Sequence, residues 1–231
     1  MSSFAQRRRV AVAVARKDLT IEWNSRILVN QVAPFAAIVM VLFAFALDNE
    51  GILQRVAPGL VWLATLFSML VVIQRAFAVE SADGALDALR VAGVDPSAIF
   101  AGKSLALMLQ LFALELLLVG TAVVLYGVEM SIGGFAEMLL TMVAATVGLA
   151  CVGTLYGGLA AGARGRETLL PLLLLPVVAP VLIGATRATE AAFGSGGTQV
   201  SEGWPWIVLL VVFAVIFSAV GSVAFGPLVD E

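Results

Sequence analysis

The chain has 231 residues, a formal net charge of −3, 61% apolar residues and only 13% charged ones, and its mean hydropathy is +1.05. Several runs approach the ~20 consecutive apolar residues that cross a bilayer as a helix, so the composition excludes one or two soluble domains. Long apolar blocks in place of short alternating segments also exclude a membrane β-barrel. We therefore predict an all-α integral membrane protein, with residues 1–231 forming a single transmembrane domain.

Residues 1–30 predict an amphipathic helix that lies along the membrane surface. Arg7–Arg9 could imitate the start of a signal peptide, but no apolar run follows them directly. Val12, Ala15, Leu19, Trp23 and Ile27 fall on one stripe of a helical wheel. This stripe favours an interfacial helix over a soluble basic tail, which would leave Trp23 and Ile27 in water.

Residues 31–228 predict a bundle of six membrane-spanning helices, because six apolar blocks are separated by polar turns. The third block is long, and at 1.5 Å per residue it would measure roughly 46 Å against the ~30 Å hydrocarbon core. Its first two turns, up to Lys103, are therefore expected outside that core. The predicted spans are Val32–Leu47, Val56–Ile73, Pro96–Tyr126, Phe135–Ala161, Thr168–Ala185 and Trp204–Val223.

The basic residues predict that both termini are cytoplasmic. With the N-terminus inside, 11 of the 13 Lys and Arg residues fall on the cytoplasmic side. Only Arg55 and Arg187 fall outside, which is a clear positive-inside bias over short loops. The segment 76–103 between spans two and three is therefore expected in the cytoplasm.

This segment contains Glu80–Lys103, the longest polar interval between two apolar runs, and it has internal order. Leu86 and Leu89 share one side of a short helix, Gly93 interrupts it, and Asp95 with Pro96 restarts a helix as N-cap and first residue. A short amphipathic helix joined directly to a membrane span is typical of a docking element. The alternative is an ordered loop that lies on the membrane surface.

Ser97–Ser104 nearly matches the phosphate-binding P-loop pattern G-x-x-x-x-G-K-[ST]. The first position is serine and no strand precedes it, so a cradle of backbone N–H groups is not expected. We interpret the match as accidental, and we predict that the chain has no nucleotide-binding site and is not an enzyme.

Glu115 lies near the middle of the third predicted span, where an ionised side chain is costly. It is either a proton or substrate site, or a structural carboxyl that hydrogen-bonds Thr121 or a Ser or Thr of another span. The structural interpretation is preferred, because the sequence offers no second intramembrane charge as a relay partner.

Two further spans carry residues that predict particular packing. Gly153, Gly157 and Ala161 are spaced by four, so one face of the fourth span allows close helix approach, within the bundle or across a dimer. The fifth span contains three prolines, each of which removes a backbone hydrogen bond. A kink or a local break is therefore expected near Pro171, Pro176 and Pro180.

Several segments of the chain resemble a known family. The arrangement of spans, together with the cytoplasmic pattern E-x-x-D-G-x-L-x-x-L…D-P-S-x-x-x-x-G-K, is similar to ABC-2-type transporter permeases. The segments KDLTIEW, APGLVWLATLF, FAVESADGALDALRVAGVDPSAIFAGK and RETLLPLLLLPVVAPVLIGA resemble, more closely, the haem exporter protein B (CcmB) family. The likeness covers nearly the whole chain except residues 188–203.

The resemblance implies a permease subunit of the cytochrome c maturation system, in the inner (cytoplasmic) membrane. It implies a separate cytoplasmic ABC ATPase that binds ATP, a haem-handling membrane protein, a small membrane subunit and a homodimer. The lipid bilayer surrounds the chain, and no nucleic acid is expected as a partner. Haem is a possible cargo of the complex, and no cofactor is expected on this chain. Because the sequence contains no histidine, iron ligation by imidazole is not available.

A permease without its own nucleotide site must receive force through a rigid cytoplasmic element, and Glu80–Arg90 is long, ordered and joined directly to two spans, so we expect the ATPase to bind there. We predict that the coupling residues are Glu80, Asp83, Gly84, Leu86, Asp87, Leu89 and Arg90. Two other classes of function remain open. One is an ABC-2 permease for another cargo, such as a lipid or a drug. The other is an ion-coupled carrier that uses Glu115, although no inverted repeat supports it.

Overall fold

The computed structural model describes residues 3–47, 49–83, 93–161 and 166–230. Within these ranges every regular element is helical. A π-helical turn at Leu28–Val32 precedes the second helix, and two short 3-10 turns, Ser195–Gly197 and Val200–Glu202, precede the last. The α-helices are α1 Ser3–Ser25, α2 Ala33–Ala46, α3 Glu50–Asp83, α4 Pro96–Tyr126, α5 Ile132–Ala161, α6 Arg166–Phe193 and α7 Trp204–Asp230.

Among the described residues, six helical stretches are long and apolar enough to span a membrane, which confirms the predicted architecture. The predicted bounds of the third span coincide with α4. The predicted second and fifth spans are too short, because α3 continues to Asp83 and α6 to Phe193. Backbone hydrogen bonding propagates along a helix past the end of its apolar window, so hydropathy alone underestimates the length of such helices.

The two ends of the bundle are distinguished by their contacts. We name the end that contains Phe77, Pro96 and Phe225 the α1 end. The rings of Phe100 and Phe225 lie 5.6 Å apart there, so the C-terminal part of α7 packs beside the start of α4. At the opposite end the Tyr126 hydroxyl donates a hydrogen bond to the Met40 carbonyl at 2.9 Å, which ties α4 to α2.

Helix α5 forms the centre of the bundle, and its small residues permit close packing on several sides. Of its 18 most apolar consecutive residues, 78% are buried. A methyl group on Gly153 or Gly157 would overlap Ile73 or Phe77 of α3, and one on Gly158 would approach Phe225 of α7. Small residues therefore bring α5 into contact with two neighbouring helices.

Helix α1 does not keep the predicted stripe on one face. It ends at Ser25, and Arg26 has a φ of 51°, so Ile27 lies beyond the helix and enters the core. Ala15 is buried, whereas Trp23 is 79% exposed. The predicted stripe therefore does not continue to Ile27, because the left-handed Arg26 turns the chain after α1.

The proline-rich helix α6 is helical without interruption through all three prolines. The expected local break is therefore absent. Pro176 and Pro180 lie on its exposed side, and Pro171 is half-buried. The buried Thr189 of this helix accepts a hydrogen bond from the Trp62 indole N–H at 2.8 Å, which fixes α6 against α3.

Candidate functional site at the start of helix α4

The candidate site lies at the α1 end, where α3 and α4 flank the predicted docking segment. Glu80 and Asp83 belong to the last turn of α3. Five of the predicted coupling residues lie outside the described residues: Gly84, Leu86, Asp87, Leu89 and Arg90. Their contact with an ATPase therefore stays a prediction. The structure describes the helices on either side of them, namely the end of α3 and the start of α4.

The start of α4 has the predicted capping arrangement. One Asp95 carboxylate oxygen accepts hydrogen bonds from the Ser97 backbone N–H at 2.9 Å and from the Ser97 hydroxyl at 2.7 Å. Pro96 takes the first helical position, and Gly93 has a φ of 67° at the predicted break. The Ser97 hydroxyl, more than the Arg7 guanidinium, holds the pKa of Asp95 below its ordinary value. The N-cap prediction is confirmed.

Helix α1 is fixed alongside this part of α4. Arg7 Nε lies 2.6 Å from the second carboxylate oxygen of Asp95. Further along both helices, Gly102 lies so close to α1 that a Cβ atom there would come within 2.6 Å of the Ala11 carbonyl oxygen. Later residues of α1 contact later residues of α4, so α1 runs parallel to the first turns of α4.

Lys103 lies at the meeting point of three helices. Its side chain is only 3% exposed, and its ammonium nitrogen is 3.4 Å from a carboxylate oxygen of Asp18 in α1. The same nitrogen lies 4.8 Å from the centre of the Phe77 ring in α3. An ammonium group over an aromatic face is attracted by the ring quadrupole. Lys103 therefore connects α1 and α4 to the helix that enters the docking segment.

The stretch that matches the P-loop pattern is helical. Residues 97–104 belong to the continuous helix α4, so this stretch forms no loop whose N–H groups could surround a phosphate. Gly102 permits the close approach of α1, and Lys103 pairs with Asp18. Lys103 is the only basic residue of α4 and was the sequence signal for this contact, although its partner could not be identified.

Glu115 is fully buried and contacts the next span. The Thr146 hydroxyl of α5 lies 2.7 Å from one Glu115 carboxyl oxygen, and it also lies within hydrogen-bonding distance of the Met142 carbonyl. A hydroxyl has one proton to donate. A protonated Glu115 would donate to Thr146, which would then donate to Met142. Thr121 bonds instead to the Leu117 carbonyl of its own helix.

A second buried carboxyl, Glu137 of α5, was missed in the sequence. It is 1% exposed, and neither carboxyl oxygen has a hydrogen-bond partner among the residues that the structure describes. A Cβ atom on Gly203 would overlap one of its carboxyl oxygens, so the carboxyl lies against the backbone of Gly203. The sequence did contain an indication of this burial: Glu137 lies near the start of an apolar span, where an acidic side chain must be covered by a neighbouring segment.

The remaining predicted residues lie in the packed bundle. Gly153 and Gly157 are buried against α3, and Ala161 ends α5. Within the described ranges no group of three or more His, Cys, Asp or Glu residues is placed to hold a metal ion.

Together the six spans and the buried helix junction define a multi-pass helical membrane protein. The CcmB protein family matches residues 9–230, so the chain belongs to that family. "Heme exporter protein B" of Haemophilus influenzae is 29% identical over 219 residues, covering 94% of each chain. The protein of the same name from Pseudomonas aeruginosa is 31% identical, covering 78% of this chain and 79% of that one. The Rhodobacter capsulatus protein of that name is 34% identical, covering 69% and 73%.

Proposed function

We propose that this chain is the permease subunit of an ABC transporter complex that acts in cytochrome c maturation. The observation that carries the proposal is the family match over residues 9–230, combined with six membrane-spanning helices. Relatives that carry the name "Heme exporter protein B" support haem as the cargo of the complex. The chain acts as a transport subunit, and a separate ATPase binds and hydrolyses ATP.

The ATPase docks on the segment between α3 and α4. A permease that receives force from another subunit needs a cytoplasmic element that is continuous with its spans. This segment joins the 34-residue helix α3 to the 31-residue helix α4. Displacement of the segment would move both helices, and the Lys103–Asp18 contact would carry the movement into α1.

The α1 end faces the cytoplasm, and the chain resides in the inner membrane. The basic residues of α1 support this orientation, since Arg7, Arg8 and Arg9 are exposed at that end. The end of α7 lies at the same end, so both termini are cytoplasmic.

The complex contains further subunits, namely a haem-handling membrane protein, a small membrane subunit and a second copy of this chain. Since the sequence contains no histidine, we assign iron ligation to the haem-handling partner. ATP hydrolysis then releases a haem-loaded chaperone for cytochrome c assembly on the outer face.

Complementation tests this proposal. A strain that lacks the gene for this chain should lose haem-stained cytochrome c, and the plasmid-borne chain should restore it. The affinity-tagged chain should also retain an ABC ATPase during purification in mild detergent. If the tagged chain retains the ATPase but the deletion strain still assembles cytochrome c normally, the chain is instead an ABC permease for another cargo.

A further inference from the structure

One side of α1 presents three arginines, Arg8, Arg9 and Arg16. All three are exposed, and among the residues that the structure describes no ion pair involves them. At 3.6 residues per turn they lie within an arc of about 100° on the helix surface, which we name the arginine face. Arg7 lies outside this arc and pairs with Asp95. The arginine face therefore carries three positive charges that no described carboxylate compensates.

The two acidic residues of α1 lie outside the arginine face. Asp18 pairs with Lys103 of α4, and a Glu22 carboxylate oxygen accepts a hydrogen bond from the Leu28 N–H at 2.5 Å. Both acidic residues are half-buried on the side of α1 that contacts α3 and α4. The charges of α1 are therefore separated by side, with the acidic residues toward the bundle and the arginines away from it. This separation favours a negatively charged partner on the outer side.

Two apolar side chains share the arginine face. Val12 is 56% exposed and Trp23 is 79% exposed, and both lie between Arg8 and Arg9 when the helix is viewed along its axis. Ala5, Arg8, Arg9 and Val12 line an open groove of about 400 Å³. A largely exposed tryptophan among arginines is unfavourable in water. It is typical of the membrane interface, where the ring enters the lipid boundary and the charged groups contact headgroups.

The contacts between α1 and α4 place the arginine face at the depth of the lipid headgroups. Helix α4 has 31 residues and measures roughly 46 Å, which is about the thickness of a bilayer with its headgroups. Its first turns therefore lie in the headgroup layer. Arg7 contacts the Asp95 cap and Ala11 lies against Gly102, so α1 is held alongside these turns. The exposed side of α1 consequently meets headgroups.

We propose that the arginine face binds anionic phospholipids, with phosphatidylglycerol as the test lipid. Arg8, Arg9 and Arg16 donate hydrogen bonds to the lipid phosphates, and Val12 and Trp23 enter the boundary of the acyl chains. Guanidinium groups bind phosphate oxygens in pairs, and three uncompensated cations attract a negatively charged membrane surface. A zwitterionic lipid also carries an ammonium group, which these cations repel. This interaction is independent of the cargo and of the ATPase.

Native mass spectrometry of the full-length chain in a neutral detergent, titrated with phosphatidylglycerol or with phosphatidylcholine, tests the arginine face. The wild type should bind phosphatidylglycerol more tightly than phosphatidylcholine. Arg8→Gln, Arg9→Gln and Arg16→Gln should each weaken phosphatidylglycerol binding about fivefold, as for loss of one basic residue near an anionic surface. Binding of phosphatidylcholine should stay unchanged. A higher salt concentration should reduce the preference of the wild type, because salt screens exposed charges.

Arg187→Gln is the matched control, because it removes the same charge from an exposed arginine of α6 that is already paired with Glu190 at 2.8 Å. It should leave lipid binding unchanged. Equal phosphatidylglycerol binding by the wild type and by the combined Arg8→Gln, Arg9→Gln and Arg16→Gln variant would overturn the proposal. Equal affinity of the wild type for the two lipids would also overturn it. If the combined variant loses the ATPase but binds phosphatidylglycerol normally, the arginine face contacts a protein partner and the proposal is wrong.

Discussion

The ammonium nitrogen of Lys103 lies 3.4 Å from a carboxylate oxygen of Asp18, and this ion pair joins α4 to α1. The two partners differ in burial, since the Lys103 side chain is 3% exposed and that of Asp18 is 14% exposed. Asp18 also lies 3.0 Å from Lys17. Loss of Asp18 and loss of Lys103 should therefore destabilise the protein by different amounts.

Asp18→Asn should destabilise the protein more than Lys103→Met. The first change removes the Asp18 carboxylate from the more deeply buried member of the pair, and weakening the compensation of a buried charge costs more than weakening that of a partly exposed one. The second leaves a carboxylate that is still paired with Lys17. The apparent midpoint of thermal unfolding in detergent measures the difference. A lower midpoint for Lys103→Met would contradict this account.

Gly102→Ala should loosen the packing of α1 on α4. The added methyl group would meet the Ala11 carbonyl oxygen and Val14, and overpacking of this kind costs typically about 1–3 kcal/mol. Gly120→Ala is the matched control, since Gly120 lies in the same helix and a methyl group added there would have no neighbour within 4 Å among the described residues. Tryptic cleavage within α1 should accelerate only in Gly102→Ala; equal cleavage rates in both variants would refute the close contact.

Glu115→Gln should retain normal protein accumulation and most cytochrome c assembly, because a side-chain amide can still hydrogen-bond Thr146. Thr146→Val removes the partner and leaves a buried carboxyl without it, which should cost about 1–3 kcal/mol. The double variant Glu115→Leu with Thr146→Val should recover part of that loss. Complete loss of cytochrome c assembly in Glu115→Gln at normal protein level would indicate a proton or substrate role.

The sequence predicted the elements that depend on apolar length and local caps. Helix α4 and its Asp95 cap follow directly from an apolar block and an Asp-Pro pair. The partners of buried polar residues could not be predicted, because Asp18 is 85 residues away from Lys103 in the chain and Thr146 is 31 residues away from Glu115. The break after α1 was also invisible, since Arg26 takes a left-handed conformation that its residue type does not favour.

Reporter fusions test the orientation of the bundle. A reporter after Glu231 and one inserted at Gly93 should both indicate the cytoplasm, whereas one inserted within residues 194–197 should indicate the periplasm. Alkaline phosphatase and green fluorescent protein give opposite signals on the two sides. Different locations for the reporters at Glu231 and Gly93 would refute the six-span arrangement.

The docking segment is the basis of the proposed coupling. Leu89→Asp would place an unpaired charge in a desolvated contact, at a cost on the order of several kcal/mol. Asp87→Lys is the matched control on the same segment. A rim charge is screened by salt, so its reversal should weaken binding less, and mainly at low ionic strength.

The most direct measurement is the yield of ABC ATPase that co-purifies with the tagged chain. We expect Leu89→Asp to abolish co-purification while the protein still inserts in the membrane at the normal level, and Asp87→Lys to retain most of it at physiological salt. A wild-type yield of ATPase with Leu89→Asp would contradict the account and would transfer the docking role to residues 164–167 or to α1.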